Sequence, residues 1–145
     1  MRRALLDINV VMDVLLDRRP HSEASGAAWA AVEAGLAEGL LAAHALPTIY
    51  YLYTKVADSQ RARHTIAALL NIFQVAPLGA PALQEAVHLR CPDYEDAVTA
   101  VSARLAGCDC IVTRDARGFH ASPVPPLTPE AFVAMVNTDT STQTI

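Results

Sequence analysis

Short apolar runs alternate along this chain with stretches whose apolar residues recur at helical spacing. Residues 3–6 form the first run, which ends at Asp7-Ile8-Asn9, and residues 10–16 continue at helical spacing up to the break at Arg18-Arg19-Pro20. This order predicts a strand, a polar junction and a helix. Residues 21–36 are alanine-rich, with Trp29, Val32 and Leu36 recurring along one face, and residues 39–43 read as a second strand. Pro47 opens a helix through Ile49, Leu52, Tyr53 and Val56, and Asp58-Ser59 starts another that reaches Phe73. Residues 73–78 form a third strand and residues 81–89 a short helix. Pro92-Asp93 begins a longer helix through Val98, Val101 and Leu105, with Gly107 as its stop. Residues 109–113 read as a fourth strand. Residues 123–127 read as a last short strand, and Thr128-Pro129-Glu130 leads into a helix carrying Phe132, Val133 and Val136.

Strands alternating with helices indicate an α/β fold with a parallel sheet, whose ligands are expected at the carboxyl ends of the strands. A chain of 145 residues fits one core, since a domain of this size buries about two-thirds of its unfolded surface. The expected organisation is a single domain over residues 1–137 followed by a polar, frayed tail over residues 138–145. Hydrophobic residues make up 52% of the chain, yet no apolar run approaches the roughly 18 residues that span a bilayer. Asp7 interrupts the first apolar run too early for a signal-peptide core, so the protein is expected in the cytoplasm. Cys91, Cys108 and Cys110 are odd in number and read as reduced core thiols. A net charge of −4 argues against a broad basic footprint, so a nucleic-acid substrate would need a local basic patch or a metal.

Three acids stand where apolar runs or helix starts meet polar sequence: Asp7, Asp96 and Asp115. Brought together, they would form a hard-oxygen cage of the kind that holds Mg²⁺ or Mn²⁺ for phosphodiester chemistry. Asp7 leaves a buried strand, and Asn9 follows with an orienting amide; the plainer reading makes either a cap of the next helix. Asp93-Tyr94-Glu95-Asp96 starts a helix with Asp93 as N-cap. Acids there also suit the helix dipole, but three in four residues exceed capping, and a divalent cation would relieve their repulsion. Asp96 is assigned to the metal and Asp93 is shared between cap and site. In Thr113-Arg114-Asp115 the aspartate completes the cage, Thr113 donates a hydrogen bond to a carboxylate or a phosphate, and Arg114 contacts substrate; the plainer reading is a capped turn. Arg61, Arg63, His64 and Arg117 are candidate backbone contacts for RNA, and Tyr50, Tyr51 and Tyr53 read as helix packing before base stacking.

Taken in order, Leu5-Leu6-Asp7-Ile8-Asn9-Val10, Asp93-Tyr94-Glu95-Asp96-Ala97 and Ile111-Val112-Thr113-Arg114-Asp115 resemble the PIN-domain family, which includes the VapC-type ribonuclease toxins of toxin–antitoxin modules. The resemblance covers almost the whole chain. It implies a three-layer α/β/α sandwich around a mostly parallel sheet of four to five strands. It also implies a Mg²⁺- or Mn²⁺-dependent ribonuclease, a homodimer, and an antitoxin partner whose tail enters the acidic cleft. Asp7, Asp96 and Asp115 would be metal ligands, with Asp93 beside them in catalysis and Asn9, Thr113 and Arg114 toward substrate. One departure is plain. Most members carry a glutamate in the helix after the second strand, whereas residues 45–52 contain no acid, so Asp93 or Glu95 replaces it or the cage has three carboxylates. That absence favours a rival reading, a PIN fold kept as a binding or regulatory module with weak cleavage. A haloacid-dehalogenase-like phosphatase would need an aspartate where Asn9 stands. A phospho-receiver domain would need one after the third strand, where Gly79 follows.

Overall fold

The first apolar run becomes the spine of the sheet. In the computed structural model, which describes residues 1–143, strand β1 (Arg3–Leu6) has Ala4, Leu5 and Leu6 all buried. A strand apolar on both faces belongs at the centre of a parallel sheet with helices above and below. Strand β2 (Glu38–Ala42) lies on one side of it with β3 (Gln74–Ala76) outside. On the other side lie β4 (Cys110–Val112) and then β5 (Pro126–Leu127). The order is β3-β2-β1-β4-β5 and every pairing is parallel. Pro126 opens an edge strand, where its missing N–H deprives no neighbour of a ladder bond.

Helices α1 (Ile8–Leu15) and α2 (His21–Glu33) join β1 to β2, and α3 (Ala45–Tyr53) and α4 (Ser59–Ile72) join β2 to β3. The chain then crosses back through α5 (Ala80–Val87) and α6 (Tyr94–Leu105) to β4, makes a 3-10 turn at Ala116–Phe119 before β5, and ends in α7 (Pro129–Gln143). Right-handed crossovers moving outward from β1 put α1 to α4 on one face, and the returning crossover puts α5 and α6 on the other. The packing agrees, with α2 against α1 and α7, α3 against α4, and α5 against α6. The result is a three-layer α/β/α sandwich around five parallel strands. Ala4, Leu5, Leu40, Leu41, Ile111 and Val112 form the middle of the core, with Phe119 and Phe132 among its largest fully buried side chains.

Several boundaries differ from those the pattern predicts. Helix α2 stops at Glu33, short of Leu36, because Gly35 takes φ +76° and lets Leu36 N–H donate to Ala31 O at 3.0 Å and Gly35 N–H to Val32 O at 3.0 Å. That is a Schellman closure, and it leaves Leu36 40% exposed. Gly107 ends α6 in the same way at φ +72°. Helix α3 begins ahead of Pro47, which sits in its first turn where no backbone donor is needed. The third and last strands are shorter than expected, because only the residues in register with β2 and β4 join the ladder.

The tail differs most. Residues 138–143 continue α7 instead of fraying. The hydroxyls of Thr138, Thr140, Ser141 and Thr142 each donate to the carbonyl four residues back, and Asp139 pairs with Arg2 at 2.9 Å. Residues 144 and 145 of the expected tail lie outside the described residues.

Candidate active site

Connections leave β1 and β4 in opposite directions, so a crevice opens at the carboxyl ends of these two neighbouring strands. Asp7 stands at its floor. Its N–H still donates to Val112 O at 2.9 Å, extending the ladder by one residue, and its backbone is extended at ψ 148° before α1 begins. The Asp7 side chain makes no capping bond to α1. It crosses to the next strand instead, where Oδ2 accepts from Thr113 Oγ1 at 2.9 Å. Asp7 is 5% exposed, and burial pushes its carboxyl above the ordinary value, with the negative charges of Glu95 and Asp115 adding to the rise and Thr113 working against it.

Thr113 links the two strand ends. While donating to Asp7, its hydroxyl oxygen accepts from Asp115 N–H at 3.0 Å. Asp115 heads the 3-10 turn, with Oδ1 accepting from Gly118 N–H at 3.1 Å. Gly118 matters for its lack of a side chain, since a Cβ there would lie 2.7 Å from Asp115 Oδ2 and 3.2 Å from Asp96 Oδ2. Both carboxylates therefore border the same small space.

Helix α6 brings its own acids. Asp93 is the N-cap, with Oδ1 accepting from Glu95 N–H at 2.8 Å and Asp96 N–H at 3.2 Å. This is the cap expected of it. One carboxylate oxygen from each of Asp93, Glu95 and Asp96 lies within 4.8 Å of the others. The Asp96 carboxyl is pushed up to about 7, by desolvation first and then by the charges of Glu95, Asp7 and Asp93. Glu95 moves the other way, lowered chiefly by its hydrogen bond with His44. Of the expected ligands, Asp96 belongs to this tight group, while Asp7 and Asp115 border it and reach it through mutual repulsion and the Gly118 contact.

The residues expected to face substrate divide. Asn9 is exposed in the first turn of α1, next in sequence but one to Asp7. Thr113 is fully buried with its hydroxyl engaged by Asp7 and Asp115, so of its two expected acceptors the structure provides the carboxylate. Arg114 turns inward. Its Nε and Nη2 donate to Asp13 Oδ2 at 2.7 Å and Oδ1 at 3.1 Å, and Ser25 Oγ donates to the same fully buried carboxylate at 3.0 Å. A fork held this way on a buried acid is structural, and its guanidinium is already paired. Arg61, Arg63 and His64 lie on α4, where Arg63 sits 5.8 Å over the Tyr50 ring, and Lys55 covers Tyr51 at 4.6 Å.

The pocket fits a hard divalent cation. Among the described residues, no Arg or Lys forms an ion pair with Asp7, Asp93, Asp96 or Asp115. An all-carboxylate donor set with unrelieved repulsion is what Mg²⁺ or Mn²⁺ neutralises. The sequence reading missed His44, whose partner lies 51 positions away, and no local signal marks such a pairing.

These features define a parallel α/β protein with an anionic pocket at its topological switch point. The chain belongs to the PIN-domain family, whose model, PIN domain, matches residues 3–117. It is similar to Ribonuclease VapC1 of Aquifex aeolicus (strain VF5), with 28% identity over 141 residues that cover 94% of this chain and 96% of that protein. In fold it resembles VapBC2 of Rickettsia felis, solved bound to a DNA fragment from its promoter, at a TM-score of 0.67 and 12% identity over 87% of this chain and 98% of that one. FitAcB of Neisseria gonorrhoeae is similar at a TM-score of 0.64 and 17% identity, covering 87% and 97%.

Proposed function

We propose that this protein is a divalent-metal-dependent endoribonuclease, the toxin of a toxin–antitoxin pair. The observation that carries the reading is the set of acids from the end of β1, the start of α6 and the loop after β4, which border one crevice and, among the described residues, have no Arg or Lys paired with Asp7, Asp96 or Asp115. Membership of the family and the similarity to a ribonuclease support it. Asp7, Asp96 and Asp115 would hold Mg²⁺ or Mn²⁺, with Asp93 at the margin of the site. Bound there, the ion would supply an activated water and offset charge growing on the phosphate oxygens.

The chain's own residues do the arranging. Thr113 fixes the Asp7 carboxylate and the Asp115 backbone together, Asp93 fixes the first turn of α6 that carries Asp96, and Gly118 leaves room for the carboxylates it faces. Asn9 is exposed in the first turn of α1, two residues from Asp7, and its amide would meet a phosphate or ribose oxygen. The VapBC and FitAcB likenesses support a protein antitoxin as partner, and the family resemblance a homodimer. Among the described residues no helix is long and apolar enough to cross a membrane, and a cytoplasmic site of action fits an RNA substrate.

The acid-free α3 favours the second reading, a PIN fold that binds RNA or protein with little cleavage. One assay separates them. Purified protein is incubated with structured and unstructured RNA, with Mn²⁺ or with chelator; cleavage that needs metal and disappears in Asp7→Asn supports the nuclease. Cleavage unchanged by chelator or by that variant refutes the site, and its absence from the wild type leaves the binding module.

A further inference from the structure

The helix in which the family resemblance leads one to expect an acid is preceded by a histidine. His44 is the N-cap residue of α3, at the carboxyl end of β2. Its Nε2 lies 3.0 Å from Glu95 Oε1 and 3.1 Å from Thr99 Oγ1. A carboxylate oxygen only accepts, so Nε2 carries the hydrogen and donates to Glu95. Thr99 lies one turn along α6 and donates to the Glu95 carbonyl at 3.0 Å, which keeps its hydroxyl oxygen beside the imidazole.

This arrangement has a cost. His44 Nδ1 is buried and has no hydrogen-bond partner among the described residues, an unfavourable state that the ring accepts while Nε2 stays on Glu95. Glu95 Oε1 is thus held by His44 and by Thr99 Oγ1 at 3.3 Å, while one oxygen of the same carboxylate belongs to the group that lies within 4.8 Å of Asp93 and Asp96. Asp93 is engaged differently, with its Oδ1 on two backbone amides as the helix cap.

We propose that Glu95 is the fourth carboxylate ligand of the divalent-metal site, replacing from α6 the glutamate that α3 lacks, and that His44 is the positioning residue that holds it. The inference rests on the metal-dependent reading above. A hydrogen bond to a ligating carboxylate is the usual outer-shell support of a metal site, and its removal weakens binding by about 10- to 100-fold.

Calorimetric titration with Mn²⁺, together with the paramagnetic resonance spectrum of the bound ion, tests this on the purified protein. Glu95→Gln is expected to weaken Mn²⁺ binding by about 10-fold or more and to change the spectrum, and His44→Ala to weaken it by about 10-fold. His44→Gln, which can place an N–H at similar reach, restores most of the loss. Asp93→Asn keeps the cap and changes affinity less than Glu95→Gln does. If His44→Ala does not fold, His44→Asn, whose amide is too short to reach, shows the same loss. Wild-type affinity in Glu95→Gln, alongside loss in Asp7→Asn and Asp96→Asn, overturns the inference and leaves the metal site standing. An equal or larger loss in Asp93→Asn also overturns it. No Mn²⁺ binding by the wild type overturns both readings.

Discussion

Asp96 and Asp7 show what the pocket asks of single residues. Both carboxyls are raised, Asp96 from 3.8 to about 7, so without metal the folded chain binds more protons than the unfolded chain across that window. Their contribution to stability is therefore present at low pH and lost as pH rises through the folded values. Glu95, lowered from 4.5, acts in the opposite sense in a more acidic window. Chelated protein should consequently melt at lower temperature at about pH 8 than at about pH 5, Mn²⁺ should remove most of that difference, and Asp96→Asn should flatten it. A melting temperature that rises with pH in chelator would refute this account. Thr113→Val isolates the link beneath the site. It keeps the shape but leaves Asp7 Oδ2 and Asp115 N–H without their hydroxyl partner, so urea unfolding should show a loss of about 1–3 kcal/mol. Thr113→Ser, with the hydroxyl kept, should lose less.

At the scale of elements, the Asp13–Arg114 pair ties α1 to the loop after β4, and Ser25 adds α2. Truncating Arg114 removes the two-pronged partner of a fully buried carboxylate and leaves it Ser25 and, at 3.9 Å, Arg18, so Arg114→Ala should destabilise by about 1.5–3 kcal/mol in denaturant unfolding. Unchanged stability with weaker RNA binding would return Arg114 to the substrate side. This pairing also shows where sequence reading stops. The apolar runs of β1 and β4 and the acids that follow them were legible because burial ending in a carboxylate is a local pattern. Gly107 was legible as a helix stop, but Gly35 was not, because Leu36 continued the helical spacing of α2. Arg114 read as a substrate contact and His44 carried no signal, since their partners lie 101 and 51 positions away. The polar run after Asn137 looked unable to hold a helix, and hydroxyl-to-carbonyl bonds with the Arg2–Asp139 contact supplied what hydrophobicity did not.

For the whole molecule, the fit of the helical layer onto the sheet is set at Gly39 in β2. A Cβ there would fall 2.6 Å from Val32 Cγ1 on α2 and 2.8 Å from Phe73 Cδ1. Gly39→Ala should therefore destabilise by about 1–3 kcal/mol through overpacking, read from thermal or urea unfolding. The order of the strands has a consequence for synthesis. The first strand made is the central one, and Leu5 must wait for Ile111 before its second edge is paired. Asp7 likewise acquires Thr113 only when residues more than a hundred positions downstream have left the ribosome. A nascent chain halted before β4 has neither Thr113 nor Asp115, so the carboxylates of the site gather only when the polypeptide is nearly finished.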